Sequence, residues 1–307
     1  MDKMLHLSVS PHTHCGRSTS SIMLDVLIAL LPATIASVLL FGLNALLVVA
    51  VCVIACVGFE YLFNLIAKKE QTIGDFSAAV TGLLLALNLP AETPVWQCII
   101  GALFAIIVVK CLFGGLGYNV VNPAITARVF MLVSFSTTMA TASFPADVKA
   151  GATPLVQLAN GKTPDLMDLL LGKHGGSIGE TCSMALIIGF LYLFIRDVVS
   201  WEIPVSFIGS VFVLSFLMEG DAMKALAAIL SGGLLIGAFF MATDYVTSPS
   251  TPAGKLLFGL GCGLLTFLIR YYAKYPEGVS FAILIMNLLV PYIDKLTKHK
   301  VYGGKKA

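Results

Sequence analysis

Long apolar runs separated by short polar stretches occupy almost the whole chain, and their lengths predict helices rather than strands. Five runs fall at residues 22–41, 46–67, 76–89, 95–113 and 120–139, and five more at 181–195, 203–217, 222–241, 256–273 and 279–293. A full membrane crossing takes roughly 20 apolar residues. Several runs fall short, notably 76–89, which ends at Asn88-Leu89-Pro90, so half-length or broken helices are expected. The predicted class is an all-α polytopic membrane protein with about ten transmembrane helices.

Five runs before the one long polar segment and five after it predict two inverted repeats, because an odd-numbered unit repeated in tandem enters the membrane in opposite orientations. The halves share a rough order. Each has a Gly-interrupted helix (Thr81-Gly82, then Ser231-Gly232-Gly233), a polar break (88–94, then 243–252) and an apolar helix ending in a base (Lys110, then Arg270). Corresponding breaks are expected to meet near the membrane midplane, where freed backbone groups can serve a cofactor or an ion. The organisation is therefore an N-terminal segment (1–21), a first five-helix repeat (22–139), a loop (140–180), a second five-helix repeat (181–293) and a basic tail (294–307).

Composition agrees and excludes a soluble catalytic domain: 58% of residues are hydrophobic and 12% charged, with a mean hydropathy of +0.92. The first apolar run follows a polar stretch and lacks a small-residue cleavage site, so it reads as a retained span. Basic residues stay on the cytoplasmic side of short loops. With the N-terminus inside, thirteen Lys and Arg residues, Lys110 and Arg128 among them, fall on the cytoplasmic side and six on the other. Both termini are expected in the cytoplasm, and the 140–180 loop faces outward. The lipid bilayer is the evident partner, and no nucleic-acid partner is expected.

Candidate chemistry concentrates in that loop, at Asp147-Val148-Lys149-Ala150-Gly151-Ala152-Thr153. A threonine hydroxyl is a poor nucleophile at its free pKa, so modifying it takes a general base and a metal-activated phosphate from a separate enzyme. Gly151 and Ala152 are small enough for the segment to enter such an enzyme's cleft. Thr153 is thus a candidate attachment point for a flavin, although Gly-Ala-Thr by itself is more often an ordinary turn. In the helices, Asn119 and Asn122 carry amides that can donate and accept at a flavin edge where a charge would be costly. Asn122 suits equally well an N-cap, with Pro123 at the first helical position.

Of the ionisable residues inside apolar runs, Asp25, Lys110 and Arg128 read as anchors near the cytoplasmic interface, and Glu60 and Asp244 as candidates for an ion pathway. Either of the last two could instead pair with a basic neighbour. His12-Thr13-His14-Cys15 admits a metal, but its polar surroundings favour contact with headgroups or a partner. The seven cysteines are scattered, Cys52 and Cys56 alone sharing a helix face, and are expected to be buried reduced thiols without a metal.

Several segments in order along nearly the whole chain resemble the RnfD and NqrB family of membrane proteins from the Rnf and Nqr complexes. These are Ser10-Pro11-His12 with Ser18-Thr19 and Met23-Leu24-Asp25-Val26, then Gly117-Tyr118-Asn119-Val120-Val121-Asn122-Pro123-Ala124 with Thr126-Ala127-Arg128. They continue with Gly151-Ala152-Thr153-Pro154-Leu155 and with Met241-Ala242-Thr243-Asp244 before Thr247-Ser248-Pro249. The compact N-terminus is more similar to the Rnf branch.

The resemblance implies a flavin-carrying electron-transfer subunit of an ion-translocating (Na+ or H+) ferredoxin:NAD oxidoreductase in a prokaryotic cell membrane, assembled with other membrane and peripheral Rnf subunits. It also implies ten helices, an FMN esterified through its phosphate to a threonine by a flavin transferase, and a non-covalent riboflavin. The family's target motif, approximately Asp-x-x-(Ser/Thr)-Gly-Ala-(Thr/Ser), falls on Asp147, Gly151, Ala152 and Thr153, with Ala150 where a hydroxyl is usual. On this reading FMN exchanges electrons with another subunit at the outer side and riboflavin extends the path toward the cytoplasm. The alternative from another class is a secondary transporter or channel of inverted-repeat fold with no redox cofactor, and a colourless scaffold for redox partners is a third.

Overall fold

The computed structural model describes residues 17–145, 148, 151–273 and 277–298. His12, His14, Cys15, Asp147 and Ala150 lie outside the described residues.

The described residues form an all-helical fold, with ten apolar helices in the order the hydropathy pattern predicts. In the first half they are α1 (Thr19–Phe41), α2 (Leu43–Ile66), α3 (Ser77–Leu87), α4 (Val95–Cys111) and α5 (Pro123–Ser134). In the second they are α6 (Ser183–Ile195), α7 (Glu202–Glu219), α8 (Ala222–Leu230 continuing as Leu234–Met241), α9 (Pro252–Tyr272) and α10 (Val279–Leu296). Helices α1, α2, α7, α9 and α10 are long and apolar enough to cross a membrane, and α8 joins them if its two arms, bent by 66° at Ser231–Gly233, form one span. Their outer faces carry large apolar side chains, Leu39 81%, Ile54 71% and Leu217 73% exposed, which water would not tolerate in such continuity.

Helix starts follow from local chemistry. Ser18 caps α1 by accepting from Ser21 N–H at 3.2 Å, Asn122 caps α5 and Thr251 caps α9, the last two with proline in the first turn. Helix α4 ends in a π-helical stretch, Phe104–Cys111, and α8 in another, Gly237–Met241; single widened turns of this kind often mark functional sites.

The repeat is visible in which helices touch. In each half the second helix packs on the third and fourth, and the fourth on the fifth. The first and the last helix of each half lie against their counterparts and run antiparallel, as inversion requires. Along α1 and α6, Asp25 meets Arg196 at 3.3 Å while Ser37, further on, donates to Ile178 O at 2.7 Å, just before α6 begins. Along α5 and α10, Asn122 N–H donates to the Asn287 amide oxygen at 3.1 Å, with that amide oriented by its partners, while Arg128 pairs with Glu277 ahead of the start of α10. Both ends of the described chain thus lie on one face of the bundle, and the connection between the halves lies on the other.

Several expectations are corrected. Gly82 does not interrupt α3; a Cβ there would lie 2.8 Å from Cys52 O, so the glycine is needed for close packing on α2. Asp25, Lys110 and Arg128 are not interfacial anchors, since they are 4%, 1% and 4% exposed and each is paired with an opposite charge. Lys110 and Arg128 therefore belong in neither loop tally. The two polar breaks open onto different cavities, although Asn88 Nδ2 of the first lies 3.6 Å from Met241 Sδ, just ahead of the second. Nor is the 140–180 connection a simple loop. It contains the short helices Pro154–Ala159 and Leu166–Leu171, and its final stretch, residues 174–180, is entirely buried. There, Gly179 N–H and Ile178 N–H donate to Leu87 O and Leu89 O at 2.6 and 2.9 Å, satisfying carbonyls that the short α3 leaves open. The described cysteines are all free and, apart from the half-buried Cys182, buried.

Candidate functional site: two cavities on opposite faces

On the face of the connection, Thr153 is the N-cap residue of Pro154–Ala159, yet its side chain makes no capping bond. Pro154 holds the first helical position, and the Thr153 carbonyl accepts from Gln157 N–H at 2.9 Å. The half-buried hydroxyl is left at the rim of a cavity of about 240 Å3 lined by Pro90, Leu132, Met139, Ser177, Glu180 and Glu277 among others. That volume lies just under the usual range for small-molecule sites. It suits the ring of a group tethered at its rim better than a whole free nucleotide. Gly151 and Ala152 are exposed beside Thr153, and Gln157 Nε2 steadies them by donating to Ala152 O at 2.8 Å.

Deeper in the same cavity stands a charged cluster that the hydropathy pattern does not reveal. Ser177 Oγ donates to Glu180 Oε2 at 2.9 Å and lies 3.5 Å from Glu277 Oε1. Arg128 reaches Ser177 at 3.4 Å and forms an ion pair with Glu277. Burial first, then the adjacent Glu277 charge, pushes the Glu180 carboxyl up to about 8. Burial opposes ionisation of Glu277 too, but the Arg128 guanidinium beside it holds that carboxyl below its ordinary range. Two signals in the sequence point here: Arg128 in mid-helix, which demands a partner, and the run Gly175-Gly176-Ser177-Ile178-Gly179-Glu180, small enough to pack tightly at an acid.

On the opposite face, the turn before α5 and the turn after α8 line a cavity of about 80 Å3, together with residues of α1, α3 and α6. It brings Asn119, Asn122 and Asp244 together, with Lys110 and Ser77 at its side. Asn122 is committed to structure. Its Oδ1 accepts from Ala124 and Ile125 N–H at 3.0 and 3.3 Å, and its Nδ2 donates to Met241 O at 3.3 Å. Asn119 differs: its buried Oδ1 has no hydrogen-bond partner. An orphaned buried oxygen facing a cavity is costly unless something donates to it, so the donor set fits a flavin edge. The volume does not hold a whole riboflavin, and binding one requires the walls formed by α1 and α6 to part.

Glu60 stands behind this cavity. Lys110 Nζ donates to its two carboxylate oxygens at 2.9 and 2.8 Å and to Ser77 Oγ at 2.6 Å, while Thr72 Oγ1 donates to Glu60 at 2.7 Å. This is a buried, fully bonded ion pair that ties α2, α3 and α4 together. Asp244 lines the cavity itself and accepts from Thr247 Oγ1 at 3.0 Å. Glu60 and Asp244 thus occupy different settings, one enclosed by a base and one facing open volume. Among the described residues no cluster of His, Cys, Asp and Glu has the makings of a metal site.

Comparison with known proteins follows the same lines over nearly the full length. The chain is 45% identical to the D subunit of the Na(+)-translocating ferredoxin:NAD(+) oxidoreductase complex of Acetobacterium woodii, covering 98% of this chain and 96% of that protein. It is 40% identical to the D subunit of the proton-translocating ferredoxin:NAD(+) oxidoreductase complex of Clostridium ljungdahlii, over 98% and 96%. It is 36% identical to the D subunit of the ion-translocating oxidoreductase complex of Vibrio atlanticus, over 97% and 99%. The profile of the NQR2, RnfD, RnfE family matches residues 6–303, and with these identities the chain belongs to that family.

Proposed function

We propose that this chain is the flavin-carrying membrane subunit of an ion-translocating ferredoxin:NAD oxidoreductase, bearing FMN as a phosphoester on Thr153 and a non-covalent riboflavin at the Asn119 cavity. The observation that carries the reading is the uncapped Thr153 hydroxyl at the rim of a cavity, in a chain matched end to end by relatives named as D subunits of such complexes. A flavin supplies one- and two-electron steps whose energies the surrounding protein sets through hydrogen bonds and charge.

The residues divide that work. Exposed Gly151 and Ala152 give a flavin transferase access to Thr153, and the cavity behind it takes the ring out of water. Asn119 Oδ1 offers an acceptor to a ring N–H on the other face, and Asn122 holds the start of α5 against α8 and α10 so that this acceptor stays in place. Electrons enter from, and leave to, other subunits of the complex. The translocated ion, Na+ or H+, is driven by states of the bundle that differ with flavin charge, and Asp244 faces the cavity where such an ion can be met. With the N-terminus in the cytoplasm of a prokaryotic cell, Thr153 faces outward.

The test is expression with and without a flavin transferase, followed by a denaturing gel under ultraviolet light. Fluorescence that survives denaturation, requires the transferase and disappears in Thr153→Val is the expected result. No fluorescence in any lane, with the transferase active on a control protein, overturns the reading and favours a transporter.

A further inference from the structure

The carboxyls of Glu180 and Glu277 come together from two separate connections, one before α6 and one before α10, and both line the cavity whose rim carries Thr153. Ser177 bridges them, and Arg128 reaches both Ser177 and Glu277 from α5. The chain makes room for this arrangement: a Cβ on Gly176 would lie 2.5 Å from Glu180 Oε1. Glu180 is 7% exposed. Two carboxylates cannot both stay ionised at such close range in a buried site, and the one nearer the base keeps its charge. Arg128 selects Glu277 for that role, which leaves Glu180 as the member of the pair that gains and releases the proton.

We propose that Glu180 is a proton-accepting site coupled to the redox state of the group on Thr153, taking up one proton from the aqueous side when an electron enters the cavity. The step balances: one electron arrives from a reduced partner protein of the complex, or from dithionite in vitro, and one proton binds the Glu180 carboxylate, so the cavity's net charge is unchanged. The inference rests on the FMN reading for Thr153. Added negative charge in the cavity favours the neutral acid, because the interaction acts in a dry setting. The other charged groups facing the pair are few. Arg270 of α9 points toward it but donates to Ala228 O and Ser231 O at 2.6 and 3.0 Å, and Glu92, in the turn after α3, is exposed. His174, on the same segment as Glu180, is buried and faces its own Gly175 carbonyl; Lys274 lies outside the described residues.

The experiment is a redox titration of the covalently flavinylated full-length chain from neutral to alkaline pH, for the wild type, Glu180→Gln and Glu180→Asp. A tenfold change in proton concentration moves a couple of one electron and one proton by about 59 mV. The wild type and Glu180→Asp are expected to lose midpoint potential with rising pH around the titration of the acid, and Glu180→Gln to lose that component. A protonated-carboxyl band in the reduced-minus-oxidised infrared spectrum is expected to vanish in the same variant. A fluorescent Glu180→Gln chain whose midpoint follows the wild-type curve, with the infrared band intact, overturns the proton linkage alone. A chain with no covalent fluorescence overturns the FMN reading and this inference together.

Discussion

A buried ionisable side chain in this protein is defined by the partner it finds, and single substitutions separate the roles. Lys110→Met strands the Glu60 carboxylate inside the bundle, a loss of about 3–5 kcal/mol for breaking a buried pair, while Lys110→Met with Glu60→Gln should recover most of it; thermal unfolding in detergent of the three chains decides. Asn119→Leu is expected to abolish non-covalent riboflavin, measured by extracting flavin from the native protein, and to leave covalent fluorescence in place. Asn122→Ala should instead cost about 1 kcal/mol of stability through the lost cap. Glu180 gives a pH signature. Its folded pKa is raised, so the stabilisation from keeping it neutral is fully present below the ordinary carboxylate range and is lost as pH climbs through about 8. The melting temperature of the wild type should fall over that window relative to Glu180→Gln, and parallel curves would refute the assignment. Thr153 stood out as a candidate through its small neighbours and the family pattern, whereas Glu180 and Glu277 did not, because each sits in a polar connection that reads as solvent-facing until the fold covers it.

At the scale of elements, helix starts and helix packing were unequally visible. Asn122-Pro123 announced where α5 begins, since caps are local chemistry, whereas α1 and α9 start behind Ser18 and Thr251, ahead of the apolar runs that predicted them. Glycines in apolar runs were ambiguous. Ser231–Gly233 is a bend, but Gly82 and Gly189 are contact points, a distinction set by the neighbouring helix rather than by the run itself. A Cβ on Gly189 would collide with the Ala29 carbonyl, so α1 and α6 approach closely there. Gly189→Val is expected to separate these helices, lower thermal stability and weaken the Asp25–Arg196 pair that closes one end of their contact. Unchanged stability would show that α1 tolerates displacement. The π-helical ends of α4 and α8 left no trace in the apolar pattern, because widening a turn by one residue changes hydrogen bonding and not hydropathy.

For the whole molecule, the five-plus-five count and the inverted relation were readable because odd repeats constrain orientation regardless of detail. The depth at which each break lies was not readable, since it depends on how far the short helices penetrate. The arrangement predicts that cysteines introduced at Ala152 and at Ser250 react with impermeant reagents from opposite sides of intact cells or vesicles; labelling of both from one side would contradict the fold.

The buried end of the central connection also decides where the chain can be handled. Segments on a protein's surface usually accept added sequence, but tolerance follows backbone bonding and burial rather than the name loop. Around Gly161, exposed and in a left-handed turn, a peptide tag or a spectroscopic probe can be inserted without touching the bundle. The same insertion after Gly172 would pull Ile178 and Gly179 off the end of α3 and dismantle Glu180's surroundings. Eleven residues of one continuous strip thus separate a permissive grafting point from a keystone.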